Sequence, residues 1–111
     1  QRDAHALSRH EAACTAGDMA RAAFRLLRNG GRLSVIYPAE RIYEVMEACL
    51  QARMTPKRLR LVQHSQGRPP KLLLMEAVRQ GKPGIAWMAP LILCEPDGSY
   101  TAEARRIYHQ E

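Results

Sequence analysis

The run Arg25-Leu26-Leu27-Arg28-Asn29-Gly30-Gly31-Arg32-Leu33-Ser34-Val35-Ile36 constrains this chain more than any other. Two leucines close a helical stripe, Asn29-Gly30-Gly31 supplies a stop, and a nearly unbroken apolar run opens a strand. Gly30 has no Cβ and can take the left-handed conformation that closes a helix. The glycine pair precedes a strand, whereas a phosphate cradle precedes a helix, so it reads as a stop signal. A helix feeding a buried strand is one half of an α/β repeat. Residues 1–14, which have no clear period, do not supply the other half.

The helix before the stop is announced by Thr15 with Asp18 three residues on, a capping box with Asp in place of Glu. Met19, Ala22, Ala23, Leu26 and Leu27 repeat at helical spacing as one apolar stripe, with Arg21, Arg25 and Arg28 on the other side. Leu33 to Tyr37 is nearly continuous in apolar character, the pattern of a strand covered on both faces, and Pro38 stops it. Ile42, Val45, Met46, Cys49 and Leu50 form a second amphipathic helix that ends ahead of Pro56.

Two further strands follow. Residues 58–64 alternate at their start, so one face is wet, while 71–78 are continuous in the middle and read as covered on both faces. The link Ser65-Gln66-Gly67-Arg68-Pro69-Pro70 is too short for a parallel crossover, so the two strands are expected to be antiparallel neighbours. The half-wet strand belongs at the edge, giving the spatial order 33–37, then 71–78, then 58–64. In the tail, residues 87–94 read as extended, with Pro90 barred from a central ladder position. A turn at Asp97-Gly98 and a short helix capped by Thr101 close the chain.

The formal net charge is +6, and the excess is uneven. Arg53, Lys57, Arg58, Arg60, Arg68 and Lys71 fall in a stretch without Asp or Glu. Such a stretch suits phosphate backbones through counterion release. It equally suits a strand edge whose charges discourage aggregation. Few aromatic residues argue against a stacking platform for single strands. Cys14, Cys49 and Cys94 are widely spaced and form no zinc pattern, so reduced thiols in a cytoplasmic protein are expected. No run is long and apolar enough to span a bilayer, and the first residues are not a signal peptide. The absence of an initiator Met suggests a processed or excised chain.

A strand, a helix and an antiparallel hairpin whose last strand inserts beside the first resembles the end of class I S-adenosylmethionine-dependent methyltransferases. There the seventh strand runs antiparallel between the fifth and sixth. The expected fold class is therefore α/β, the C-terminal half of a Rossmann-like methyltransferase sheet with flanking helices, residues 1–111 forming a single partial domain. Closer still is the resemblance to bacterial tRNA adenine methyltransferases, which modify an exocyclic amine beside the anticodon of a valine tRNA. It is carried by Ser8-Arg9-His10-Glu11, Leu26 to Arg32, Tyr37-Pro38-Ala39-Glu40-Arg41-Ile42, Lys57 to Val62, Pro90-Leu91-Ile92 and Asp97-Gly98-Ser99-Tyr100-Thr101.

The resemblance implies S-adenosylmethionine as cofactor of a parent enzyme, and tRNA or another RNA as its partner. It also implies that Arg9 and His10 touch substrate phosphate or ribose and that Tyr37, at the carboxyl end of a central strand, lines a base pocket. The ordinary alternatives are a surface pair for Arg9 and His10 and a core-covering ring for Tyr37. The family's glycine-rich loop, acidic ribose-binding residue and Asn-Pro-Pro-Tyr motif are absent from these residues. No catalytic residue, cofactor site or metal ligand is therefore expected within them. Two alternatives stay open: a small basic module that binds RNA or a protein without catalysis, and a relative acting on rRNA or a protein glutamine. A strand whose inner partners are missing is expected to self-associate through its bare edge.

Overall fold

The structure, a computed structural model, describes residues 14–108. Helix α1 (Ala16–Leu26) starts at the expected capping box. The Asp18 amide donates to Thr15 Oγ1 at 3.1 Å, and the Thr15 amide donates to Asp18 Oδ2 at 3.2 Å. Strand β1 (Arg32–Pro38) leads through a 3₁₀ turn at Ala39–Arg41 into helix α2 (Ile42–Gln51). Strands β2 (Met54–Ser65) and β3 (Pro70–Arg79) form the hairpin. Two short strands, β4 (Ala86–Trp87) and β5 (Leu91–Cys94), and helix α3 (Ala102–Tyr108) complete the fold.

The sheet order is β1-β3-β2, with β3 antiparallel to both neighbours, as the link lengths require. Strands β1 and β2 are therefore parallel, with α2 as their crossover. Leu33, Val35 and Tyr37 of β1 lie in register with Ala77, Met75 and Leu73 of β3. Across β3, Leu59 and Leu61 continue the rows of Met75 and Leu73. These rows meet Ala20 and Ala23 of α1 and Val45 and Cys49 of α2 in one core on one side of the sheet.

The double-glycine corner is fastened to the far end of β3. Gly30 has φ +84, and its amide donates to the Arg79 carbonyl at 3.2 Å. The Arg79 amide returns the bond to Gly31 O at 2.9 Å. The Arg79 guanidinium stacks 3.9 Å from the Phe24 ring centroid, donates to Phe24 O at 2.7 Å and pairs with Asn29 Oδ1. A Cβ on Gly31 would lie 2.9 Å from Arg28 O, so that position has no room for a side chain.

Three expectations are corrected. Strand β2 is not an edge: β4 and β5 both pair with it in parallel, interrupted around Pro90. Its wet residues face one side of the sheet, and β4 and β5 cover part of its second edge. Strands β1 and β3 are covered on one face only. Ile36 is 69% exposed, while Leu74 and Val78 are half-buried on the same open face. Apolar continuity marks what these strands can cover; the described residues put α1 and α2 on one side, and α3 meets β5 and, through Glu103, Arg60 of β2. Leu26 and Leu50 are 84% and 63% exposed, outside the stripes they were assigned to. The buried residues of α1 are Ala20 and Ala23, with Met19, Phe24 and Leu27 packed against the same core.

Candidate functional site

Ligands in open α/β sheets bind beyond the carboxyl ends of the parallel strands. Here β1 ends at Pro38 and β2 at Ser65, on the same side, and two clefts open there with Pro38 in the wall of both.

The first cleft, about 960 Å³, follows the free edge of β1 toward the start of α1 and is lined by Val35, Ile36, Tyr37, Arg41, Glu44 and Glu47 among others. Tyr37 does face a cleft, but its hydroxyl is engaged, donating to Glu44 Oε1 at 2.9 Å. Arg41 donates to both oxygens of the same carboxylate, Nε to Oε2 at 3.0 Å and Nη2 to Oε1 at 2.8 Å. Its guanidinium carbon lies 5.8 Å from the Tyr37 ring centroid. The Arg41 bonds, then the Tyr37 hydroxyl, hold the Glu44 carboxyl below its ordinary range. This triad fixes the ring of Tyr37 at the strand end, where the ring also packs against the core.

These residues do not fit S-adenosylmethionine. Tyr37, Arg41 and Glu44 are bonded to one another, and Gln51 Nε2 donates to Glu47 at 3.4 Å. The joint from β1 to α2 is Pro38 and a 3₁₀ turn with no glycine to admit a nucleotide close to backbone. The glycines at positive φ, Gly30, Gly67, Gly84 and Gly98, lie in turns elsewhere.

The second cleft, about 440 Å³, lies at the tip of the β2–β3 hairpin, where His64, Arg68 and Lys71 gather with Pro69 and Glu40. The turn is tightly built. The Arg68 amide donates to Ser65 O at 3.1 Å, Gln63 Nε2 donates to Arg68 O at 2.7 Å, and Gly67 has φ +87.

The basic stretch is not one patch. Strand β2 extends roughly 35–40 Å at about 3.3 Å per residue, so its cations are spread along the sheet. Arg53 sits in the turn before β2 with φ +64, its carbonyl held by the Gln80 amide at 2.9 Å. Lys57 Nζ donates to Lys82 O at 2.8 Å, fastening the loop after β3. Arg58 Nη2 lies 3.0 Å from Met88 Sδ. Arg60 donates to Ala89 O at 2.9 Å and pairs with Glu103 of α3. Arg68 and Lys71 of the six meet in the second cleft, joined by His64, which the charge pattern alone did not single out. The alternation that turns Leu59 and Leu61 into the core could have found it, since it sets His64 on the opposite, exposed face of the same strand. Arg9 and His10 lie outside the described residues.

Among the described residues, no three His, Cys, Asp or Glu side chains gather as a metal site, and no helix is long and apolar enough to cross a membrane. No family model and no curated protein matches the sequence. Among solved structures, a predicted O-methyltransferase, protein Atu636 from Agrobacterium tumefaciens, superposes with a TM-score of 0.75 at 24% identity. The match covers 83% of this chain and 44% of that one, so the chain spans less than half the length of its structural neighbour. The fold is thus methyltransferase-like: a mixed five-stranded sheet with flanking helices.

Proposed function

We propose that this chain is the C-terminal part of an S-adenosylmethionine-dependent methyltransferase acting on an adenine exocyclic amine in tRNA or another nucleic acid. The observation that carries the reading is the insertion of β3, antiparallel, between the parallel β1 and β2. The ordered motifs from Arg9 to Tyr108 support the adenine branch over other users of the fold. S-adenosylmethionine supplies an electrophilic methyl group when bound; in this reading its cradle and the amine-holding motif come from residues outside this chain.

The chain's own part is to complete the sheet and shape the substrate end. Tyr37, braced by Glu44 and Arg41, offers a ring against which an extruded base can pack. Arg9 and His10 follow the amine-holding motif and touch substrate phosphate or ribose. Such an enzyme works in the cytoplasm, where its tRNA is found.

The test joins these residues to the coding sequence upstream of them and incubates the product with S-adenosylmethionine and tRNA. Nucleoside mass spectrometry showing methyl on the adenine amine supports the reading. Methyl appearing on a hydroxyl, with adenine unmodified, overturns it in favour of an O-methyltransferase. The chain alone is expected to give no micromolar S-adenosylmethionine site by calorimetry.

A further inference from the structure

We propose that the hairpin-tip cleft of His64, Arg68 and Lys71 is the seat of a polynucleotide backbone phosphate. This rests on the reading of a nucleic-acid substrate and locates where its backbone lies.

The pairing of β2 with β3 slips near the tip. Val62 is opposite Leu72, and Gln63 is opposite Pro70, so Lys71 is the extra residue with no partner across the ladder. A bulge of this kind bends its strand and re-aims the side chain it carries. A second slip, between Pro56 and Arg58, does the same for Lys57. The two bulged lysines have different fates. The Lys57 ammonium is used within the fold, bonded to the Lys82 carbonyl. Lys71 lines the cleft beside Arg68 and His64, and neither an ion pair nor a side-chain hydrogen bond to a described residue engages these three cationic or proton-bearing groups.

The cleft is preorganised for this role. Gln63 and Ser65 fix the Arg68 backbone, and two consecutive prolines, Pro69 and Pro70, restrict the return strand. Prolines have no amide to donate, so an anion here is held by side-chain cations, as in the sequence-independent grip on phosphate that sets register on a nucleic acid. Glu40 also lines the cleft, and its carboxylate repels an anion on its own side, favouring the cationic hairpin wall. Pro38 separates this cleft from the one holding Tyr37. A phosphate seated at the hairpin therefore lies next to the place where a base reaches the tyrosine ring.

The test measures binding of a fluorescein-labelled single-stranded RNA to the chain by anisotropy over a salt series. Arg68→Ala and Lys71→Ala are each expected to weaken binding about two- to fivefold and to lower the slope of log affinity against log salt by about 0.7. Lys82→Ala removes one positive charge in the loop at the other end of the hairpin and is expected to leave both quantities nearly unchanged. Circular dichroism confirms that these exposed-site variants fold. Equal losses for all three variants, or none, overturn the cleft as a specific seat. Inorganic phosphate that displaces the RNA better than chloride at matched ionic strength shows a free-phosphate site and overturns the polynucleotide form. If the RNA affinity survives both cleft substitutions while the longer enzyme still methylates adenine, this inference fails and the methyltransferase reading stands.

Discussion

Cys49 shows how position decides the chemistry of a residue. It is fully buried on α2, and burial pushes its thiol up from an ordinary 9.0 to about 11. Cys14, by contrast, is exposed. A thiol-specific reagent is expected to label Cys14 quickly and Cys49 only on unfolding. The folded thiol holds its proton where the unfolded one has lost it. Its stabilising contribution is therefore complete below pH 9 and is lost as pH rises through about 11. Urea midpoints between those limits are expected to fall more steeply for the wild type than for Cys49→Ala. At the same scale, Thr15, Asp18 and Gly30 behave as their residue types dictate, because a cap or a left-handed turn is settled within a few neighbours. Tyr37 was legible as a strand-end aromatic. Its bond to Glu44 was not, since the partner is one turn into the next helix and its aim depends on the 3₁₀ joint.

At the scale of elements, one side chain ties two separate parts of the tail to the sheet. Arg60, on β2, binds the Ala89 carbonyl before β5 and the Glu103 carboxylate of α3. Thr101 adds a local cap, its hydroxyl donating to Ile92 O at 2.6 Å and accepting from the Ala104 amide at 3.1 Å. Arg60→Met keeps the aliphatic stem and removes both long-range contacts. With the pair partly exposed, the expected cost is about 1–2 kcal/mol, read as a lower urea midpoint together with faster proteolysis after residue 88. The expected reading of Arg60 as a nucleic-acid contact competes with this structural use. The helices, the hairpin and the strand order were all legible, because periodicity and link length constrain them strongly. The parallel pairing of β4 and β5 onto β2 was not. Both are very short, and a short extended run fits several edges equally well until the rest of the sheet exists.

At the scale of the whole molecule, the sheet is finished on one side and open on the other. Among the described residues β1 pairs with β3 alone, so its second edge presents unpaired backbone groups beside the exposed Ile36. Such an edge recruits another strand, from the same protein or from a second copy. Sedimentation of the isolated chain is expected to show concentration-dependent association, and Ile36→Lys is expected to shift it toward monomer by placing a charge on that face. A monomer at high concentration contradicts the expectation. The open edge also explains the large cleft beside Tyr37, which runs along it.

By itself the sequence determined the α/β class, the helix stops, the hairpin and the central placement of β3, since local sterics, hydrophobic period and loop reach act within short stretches of chain. Only the tertiary structure decided which cations are free. Lys57, Arg58 and Arg60 look alike in a string of letters, and so do Arg68 and Lys71. Whether a carbonyl, a thioether or a carboxylate from residues 82 to 103 lies within reach depends on how the tail returns across β2, and that is a property of the assembled sheet.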